Sequence, residues 1–224
     1  MITIYHGSSQ IIEHPEFGKG KKTDDYGRGF YCTEHAELAK EWACGSGKDG
    51  FLNRYSIELD GLRVLRLKDP PYTILTWLAV LAQNRTYWEN SAISEEAKNY
   101  LREHSLVDMS SYDIIIGYRA DDSYFAFAQG FVAGTLSLRK LSEAMHLGNL
   151  GEQIVLKSAE AFARIRFGGY EPVPADVYYA KKRERDLRAR REFREKRGGA
   201  DSAQDLFMLD IMRERMEDGD PRLR

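Results

Sequence analysis

Cysteine is scarce in this sequence, and long apolar runs are missing. Cys32 and Cys44 are the only cysteines among 224 residues, and no spaced set of histidines and cysteines accompanies them. This argues against the disulfide framework of a small secreted domain and against a metal site. The longest apolar run, from Ile74 to Ala82, is far too short to cross a bilayer. No basic start with a following apolar stretch marks a signal peptide, so we expect a soluble, cytoplasmic protein without a membrane partner.

The sequence also has little net charge and no phosphate-binding glycine loop. A formal charge of -2 argues against a chain that wraps nucleic acid, although it leaves room for a local basic patch. The run Gly18–Lys22 lacks the spacing and the strand-to-helix context of such a loop. A bound dinucleotide would therefore be a consumed substrate and not a hydride carrier. Apolar residues make up 42% of the chain, which is enough for a substantial core.

Hydrophobic periodicity predicts an α+β fold, with a small, mostly antiparallel sheet flanked by helices, in one domain over residues 1–179. The β-branched run Ile114 to Ile116 indicates an interior strand. Pro70 and Pro71 stand where a helix would begin, and Ser94 is expected to cap the next helix. The predicted strands are Ile2–Tyr5, Arg54–Leu59, Val64–Leu67, Tyr112–Tyr118 and Gln153–Lys157, and the predicted helices are Glu34–Ala43, Tyr72–Trp88, Ser94–Glu103, Tyr124–Val132, Ser137–Met145 and Ala159–Arg164.

The C-terminal residues 180–224 differ in composition and are predicted to form a charged helical extension. Lys181–Arg197 is dense in arginine and lysine with scattered acids, which is typical of a solvated helix with ion pairs four residues apart. Contact with nucleic acid is the alternative. After Gly198 and Gly199, Asp201 or Ser202 could cap a last amphipathic helix. Its apolar stripe, which runs from Leu206 to Met216, must cover its own domain, a second copy or another protein.

Three short segments contain the residues that suggest a chemistry. Tyr5–Ser8 follows a strand, Gly27–Thr33 is a glycine-framed loop that enters a strand, and Gly151–Leu156 is a strand that opens on a carboxylate. In this order they supply a histidine, an aromatic ring and a glutamate. Each residue could instead have a purely structural role: the histidine as a hydrogen-bonded structural residue, the aromatic ring as part of the core, and the glutamate at a strand end exposed to solvent. The ordered set of three is more specific than any one of its members.

The ordered set resembles the diphtheria-toxin and poly(ADP-ribose)-polymerase branch of the ADP-ribosyltransferases. It is more narrowly similar to a bacterial family of uncharacterised small proteins in that superfamily, in which a stretch like Asp113–Asp122 accompanies the glycine-framed Phe-Tyr segment. The resemblance spans roughly residues 3 to 168 and leaves out the charged extension. It implies an ADP-ribosyltransferase-like split β core flanked by helices, and NAD as the substrate.

Carried over by position, the resemblance implies roles for five residues. His6 would hydrogen-bond the adenosine ribose of NAD, and Gly7 would offer its backbone to the nicotinamide carboxamide. Tyr31 would pack against the nicotinamide ring, and Trp42, eleven residues later, would close the other side. Glu152 would bind the nicotinamide ribose and stabilise the positive charge that develops as the glycosidic bond breaks.

The sequence departs from the polymerase pattern at two positions. Ala39 stands where the polymerases have a hydroxyl residue for the carboxamide, and Ser8 or Thr33 could take its place. Gln153 follows the glutamate where the polymerases have an aromatic residue, so the catalytic register could differ by one residue. Gly29 completes the predicted cofactor-binding set.

The resemblance implies a mono-ADP-ribosyltransferase that modifies a macromolecular acceptor, either protein or nucleic acid. A bacterial toxin held in check by an antitoxin is the biological setting suggested by small bacterial relatives. Self-association through the C-terminal helix is a further expected contact. Two alternatives stay open, a catalytically silent scaffold that binds partners and an NAD glycohydrolase that uses water as the acceptor. The adjacent carboxylates Asp121 and Asp122 are interpreted as a helix cap and not as metal ligands.

Overall fold

The structure, a computed structural model, is an α+β fold of seven strands, eight α-helices and a short 3-10 helix at Pro221–Leu223 in the residues it describes, which are 1–86, 91–120, 122–145, 151–197 and 201–223. None of the helices in these ranges has the length and apolar character needed to cross a membrane. The strands are β1 Ile2–Ser8, β2 Phe30–Cys32, β3 Gly50–Ile57, β4 Val64–Arg66, β5 Ile114–Tyr118, β6 Glu152–Leu156 and β7 Ile165–Val173. The helices are α1 Ala36–Ala43, α2 Ile74–Asn84, α3 Ala92–His104, α4 Asp122–Val132, α5 Leu138–Met145, α6 Ala159–Arg164, α7 Ala175–Arg197 and α8 Met208–Glu214.

The strands form two sheets that meet at one point. The first has the order β1-β3-β7 and is antiparallel throughout, and the second has the order β2-β6-β5-β4. In the second sheet β4 and β5 run parallel, while the other neighbours are antiparallel. Two backbone hydrogen bonds of 2.8 and 3.0 Å between Tyr5 and Thr33 join β1 to the end of β2. The prediction of mostly antiparallel pairing with an interior strand at Ile114–Ile116 is confirmed.

Opposite faces of the second sheet pack into two different apolar clusters. Along β6, Ile154 and Leu156 join a cluster that lies between the sheets, whereas Val155 joins a larger cluster built on α2. This alternation follows from the period of two along a strand. In α2 nine consecutive residues, Ile74 to Ala82, are buried, so the continuous apolar run of the sequence is a core helix.

Helix α1 lies directly on the first sheet because two glycines permit a close approach. A Cβ atom at Gly7 would lie 1.8 Å from the carbonyl oxygen of Ala39, and one at Gly50 would lie 2.1 Å from that of Ala43. Both contacts are with helix backbone, which cannot rotate away as a flexible side chain can. Gly7 therefore has a packing role in the fold in addition to any role in binding.

Several predicted helix starts are wrong by a few residues. Helix α3 is capped by Ser91, whose Oγ accepts a hydrogen bond from the Ser94 N–H at 3.1 Å, so Ser94 is not the cap. Helix α2 begins after Thr73 and not at the two prolines, because the Thr73 hydroxyl accepts from the Leu75 N–H. The predicted end of this helix at Trp88 lies outside the described residues. Strand β7 was not predicted, since its glycine pair and mostly exposed side chains hide the alternation.

The charged extension begins inside a helix that also belongs to the folded domain. Helix α7 runs without a break through the predicted boundary after Tyr179. Two pairs of side chains on it are joined four residues apart as predicted, at 2.8 Å between Arg190 and Asp186 and at 4.0 Å between Arg188 and Glu192. The same helix also has a buried side, where Arg185 forms an ion pair with Glu41 of α1 at 2.6 Å. Farther along, Phe193 stacks on Phe127 with ring centroids 3.9 Å apart.

The last helix covers its own domain. Helix α8 begins at Met208, so the prediction that Asp201 or Ser202 caps it is wrong. Its start is held instead by the Asp210 carboxylate, which accepts a hydrogen bond from the Phe207 N–H at 3.1 Å. The buried members of the predicted apolar stripe, Met208, Ile211 and Met216, all belong to the large cluster. Leu209 keeps 45% of its surface exposed.

Replacing Gly7 with alanine should destabilise the fold because the new methyl group would overlap the α1 backbone. We expect Gly7→Ala to lower the free energy of unfolding by about 3 kcal/mol, at the upper end of overpacking costs. Gly45→Ala is the matched control, since the nearest atom to its Cβ would be 3.8 Å away. Urea denaturation of both variants measures the difference. Equal stabilities would contradict the close approach of α1 to β1.

Two glutamates of α1 pair with α7 and should differ sharply in their effect on stability. Glu41 and Arg185 are each buried, whereas Glu37 is exposed where it meets Lys181 at 3.2 Å. Glu41→Ala leaves a guanidinium buried without this partner, so we expect a loss of about 3 kcal/mol. Glu37→Ala removes a solvent-screened pair and should cost less than ~1 kcal/mol. Chemical denaturation tests this, and similar losses would show that α7 does not depend on the buried pair.

Candidate functional site

His6 lies in β1 with its ring directed at the neighbouring strand β2. Its Nδ1 is 2.7 Å from the carbonyl oxygen of Tyr31, and its ring lies 4.4 Å from that of Phe30. Burial lowers the pKa of His6, and the hydrogen bond to the Tyr31 carbonyl opposes this shift. Because a carbonyl can only accept, Nδ1 carries the proton and Nε2 is left as the acceptor of the neutral ring.

The glycine-framed loop before β2 is fixed by Tyr31 and Lys157. The Tyr31 hydroxyl donates to the Gly27 carbonyl at 2.5 Å and accepts from the Tyr26 N–H at 3.0 Å. The Lys157 ammonium donates to the carbonyls of Tyr26 and Arg28, at 2.6 and 2.5 Å. Gly27 has a φ of +69°, which glycine adopts without strain. Since burial raises the pKa of Tyr31 far above its usual range, its hydroxyl stays protonated and serves this loop.

A cavity of about 770 Å³ is lined mainly by the segment that connects β1 to β2. This volume falls in the usual range for a small-molecule site. The lining includes aromatic, acidic and basic side chains. Of the predicted site residues, His6, Gly29 and Tyr31 line this cavity. The other lining residues are Gln10–Glu16, Lys19, Gly20, Asp24, Phe30 and Phe162.

A larger groove, of about 1000 Å³, lies beside α5 and α8, away from the predicted site. Its arginines are held by carboxylates at its own walls. Arg139 binds Asp205 at 2.7 Å, and Arg222 binds Glu214 at 2.6 Å. The groove therefore offers mostly neutralised charge, and the smaller cavity is the better candidate for a ligand site.

Glu152 opens β6 at the end of the second sheet. It stands opposite Tyr118 of β5, and its carboxylate forms an ion pair with the Lys68 ammonium at 3.5 Å. The same ammonium lies 4.7 Å from the centre of the Tyr118 ring. The Glu152 side chain is 37% exposed and is not among the described residues that line the 770 Å³ cavity. Strand β2 separates β6 from β1, so Glu152 is roughly 10 Å across the strands from β1.

Trp42 lies outside this cavity and is covered by an arginine. The guanidinium carbon of Arg119 is 3.5 Å from the centre of the Trp42 ring. The indole N–H of Trp42 is buried and finds no acceptor among the described residues. The structure thus brings His6, Gly29 and Tyr31 together around one cavity, and Trp42 and Glu152 are not among the residues that line it.

The remaining predicted residues serve local backbone structure. The Ser8 hydroxyl accepts from the Gln10 N–H at 3.1 Å, at the point where β1 ends. Thr33 is buried, and its hydroxyl accepts from the His35 N–H at 3.3 Å just before α1. Gly7 contacts the α1 backbone next to Ala39. No ligand-binding role is needed to explain these three residues.

Asp25 is the residue of this region that sequence patterns did not reveal. Its buried carboxylate binds Arg85 at 2.5 Å and accepts hydrogen bonds from the Ala120 N–H at 3.0 Å and from the Gln153 amide at 3.4 Å. Burial raises the pKa of Asp25, and the charge of Arg85 opposes the shift. The acidic pair Asp24 and Asp25 before the glycine-framed loop was the available signal, but two acids in a loop are ordinarily solvated.

Within the described ranges, no group of three or more histidines, cysteines and acids is arranged to hold a metal ion. Asp121 and the side chain of Asp122, for which a capping role was predicted, lie outside the residues whose structure is described.

Comparison with known proteins identifies a family without an assigned activity. Neither curated proteins nor solved structures return a match to this chain. A family model described as "Protein of unknown function (DUF3990)" matches residues 2–167 of the 224. The match includes β1 to β6, the cavity and all of the predicted site residues, and it ends within β7. The chain therefore belongs to the DUF3990 family.

Proposed function

We propose that this protein is a mono-ADP-ribosyltransferase that cleaves NAD at the nicotinamide–ribose bond and transfers ADP-ribose to a macromolecular acceptor. The observation that carries this proposal is the position of His6, Tyr31 and Glu152 on three neighbouring strands. His6 on β1 contacts the Tyr31 carbonyl on β2, and β2 pairs with β6 through Cys32 and Ile154, two residues from Glu152. Residues distant in sequence thus come within the span of one dinucleotide.

The cavity of about 770 Å³ supports dinucleotide binding. The rings of Phe30, Tyr31 and Phe162 offer apolar faces for a nucleobase or a ribose, and the neutral His6 ring retains one acceptor for a ribose hydroxyl. A dinucleotide that lies in the cavity and extends across β2 would bring its second ribose towards Glu152. The two-sheet arrangement, which parts between β1 and β2, is consistent with the split core of the ADP-ribosyltransferases.

The chemistry requires a carboxylate near the ribose carbon from which nicotinamide departs. The C–N bond breaks, its electron pair leaves with neutral nicotinamide, and positive charge spreads over the ribose carbon and ring oxygen. An acceptor nucleophile then bonds to that carbon and loses a proton. The Glu152 carboxylate stabilises this charge more in the transition state than in bound NAD, which lowers the barrier. The Lys68 ammonium, 3.5 Å from the Glu152 carboxylate, would have to move away so that the ribose can contact this carboxylate.

The acceptor and the setting follow from the same proposal. A protein or a nucleic acid would serve as acceptor, and the exposed arginines of α7 favour a polyanion slightly. A cytoplasmic bacterial toxin restrained by an antitoxin is the setting that the resemblance suggests. NAD glycohydrolysis, in which water replaces the acceptor, needs the same residues.

A catalytically silent scaffold is the second candidate, and a specific observation favours it. Glu152 is paired with Lys68 outside the cavity, and Trp42 is covered by Arg119. If the Glu152–Lys68 and Trp42–Arg119 contacts both persist, the protein would have the fold of the site but could not cleave NAD. Its function would then be the binding of a partner.

Replacing the Glu152 carboxylate should abolish nicotinamide release if the proposed chemistry is correct. We expect Glu152→Gln to lower the rate of nicotinamide release from NAD about 100-fold or more, because the amide keeps the shape and loses the charge. The matched control is Glu160→Gln, since Glu160 is an exposed acid in an ion pair with Arg164 at 2.8 Å, as Glu152 is with Lys68. Its rate should equal that of the unchanged protein.

The same reaction should be run with NAD labelled in its adenylate part and with a cell extract as the source of acceptors. Label on macromolecules supports a transferase, and free ADP-ribose alone supports a glycohydrolase. An absence of release under both conditions, or equal rates for Glu152→Gln and the unchanged protein, would overturn the proposed activity in favour of the scaffold.

A further inference from the structure

The Arg119 guanidinium lies on the Trp42 ring in the way that a planar cationic ligand lies on an aromatic binding site. The guanidinium carbon lies 3.5 Å from the centre of the Trp42 ring, at the distance of a flat stack. Arg119 is 9% exposed, so the pair is largely shielded from water. A planar cation on the face of a tryptophan is the arrangement by which proteins bind planar cationic ligands.

A buried carboxylate completes the electrostatics of this site. Asp25 lies beside the Arg119 backbone, because its buried carboxylate accepts a hydrogen bond from the N–H of the next residue, Ala120, at 3.0 Å, and the same carboxylate is bound by Arg85. Trp42 therefore offers an aromatic face, and Asp25 offers a negative charge nearby. A neutral ring would gain the stacking contact alone, so the site favours a cation over a neutral ring of the same shape.

The backbone beside Arg119 is held by contacts that do not involve Trp42. The Ala120 N–H donates to Asp25 at 3.0 Å, and the Ala120 carbonyl accepts from Arg85 at 2.9 Å. Both bonds hold the residue after Arg119 and neither involves the Trp42 ring. These two bonds would therefore persist if the guanidinium left the ring.

We propose that Arg119 is an internal occupant of a planar-cation site on Trp42, and that it competes there with the pyridinium ring of oxidised NAD. The identity of the competitor rests on the proposed function, whereas the occupied site itself does not. Arg119 then lowers the apparent affinity for NAD, because the ring binds only to molecules in which the side chain has left. Selectivity for the charged oxidised ring over the neutral reduced ring follows from the same site.

Removing the occupant should increase affinity, which loss of a structural contact would not do. We expect Arg119→Met to bind NAD and the free cation 1-methylnicotinamide about tenfold more tightly than the unchanged protein, the factor that corresponds to one shielded cation–π contact. Arg119→Lys keeps the charge and loses the flat stack, so its affinity should be intermediate. Calorimetric titration measures both ligands, with neutral nicotinamide as the comparison and Arg188→Met, on the exposed face of α7, as the control variant.

The outcomes separate this inference from the proposed function. Tighter binding of 1-methylnicotinamide to both Arg119 variants, without NAD cleavage by any protein, would keep the cation site and overturn the proposed activity. Weaker or unchanged binding in both variants would overturn the inference and make Arg119 a binding or structural residue, whatever the cleavage assay shows. If Arg119→Met does not fold, as judged by thermal unfolding, Arg119→Lys decides by the same criterion. Equal affinity for the cation and for neutral nicotinamide would also overturn it.

Discussion

The junction between β1 and β2 is the contact on which the candidate site depends. Tyr5 and Thr33 exchange two backbone hydrogen bonds there, and one of the His6 ring nitrogens binds the carbonyl of Tyr31 in β2. The first sheet would otherwise have no strand pairing with the second among the described residues. Strand β2 has only three residues, and the bridge between Tyr5 and Thr33 is its link to β1 among the described residues. The cavity is lined by residues of both strands next to this bridge.

Asp25 has a comparable role for the opposite face of the second sheet. One carboxylate connects the loop before β2, the end of α2, the backbone before α4 and the side chain of Gln153 on β6. A buried charge is costly unless its neighbours satisfy it, and here the neighbours come from three separate segments outside the loop of Asp25. The loop that contains Gly27 therefore acquires its position only when the whole domain has assembled. This explains how a short glycine-rich segment without a helix or strand pattern in its sequence can still have a fixed position in the fold.

The sequence predicted those parts of the fold in which local pattern and tertiary packing agree. The Ile114–Ile116 run is an interior strand. Ala159–Arg164 is a helix with the predicted bounds, because the Ser158 side chain caps its start by accepting a hydrogen bond from the Ala161 N–H. Strand β7 was not predicted because most of its side chains are exposed, so its sequence lacks the apolar alternation of a buried strand, while its backbone pairs with β3. For the candidate site, the family resemblance led us to expect His6 and Tyr31 in one place, and both line the same cavity. The ion pair of Glu152 with Lys68, the cover on Trp42 and the role of Asp25 depend on contacts between distant segments, which no local pattern encodes.

The charges around Asp25 give a physical reason for an exchange of occupants on Trp42. Asp25 faces two guanidinium groups, of which Arg85 is bound directly and Arg119 lies on the tryptophan. If Arg119 left without a replacement, the carboxylate would lose one of its two positive neighbours in a poorly solvated place, which is unfavourable. Entry of a cationic ring restores that charge, so the exchange leaves the electrostatics of the buried cluster nearly unchanged. A neutral ring would not restore it. In the proposed reaction, cleavage of the nicotinamide–ribose bond removes the positive charge from the ring, which would favour return of Arg119 and release of the neutral product.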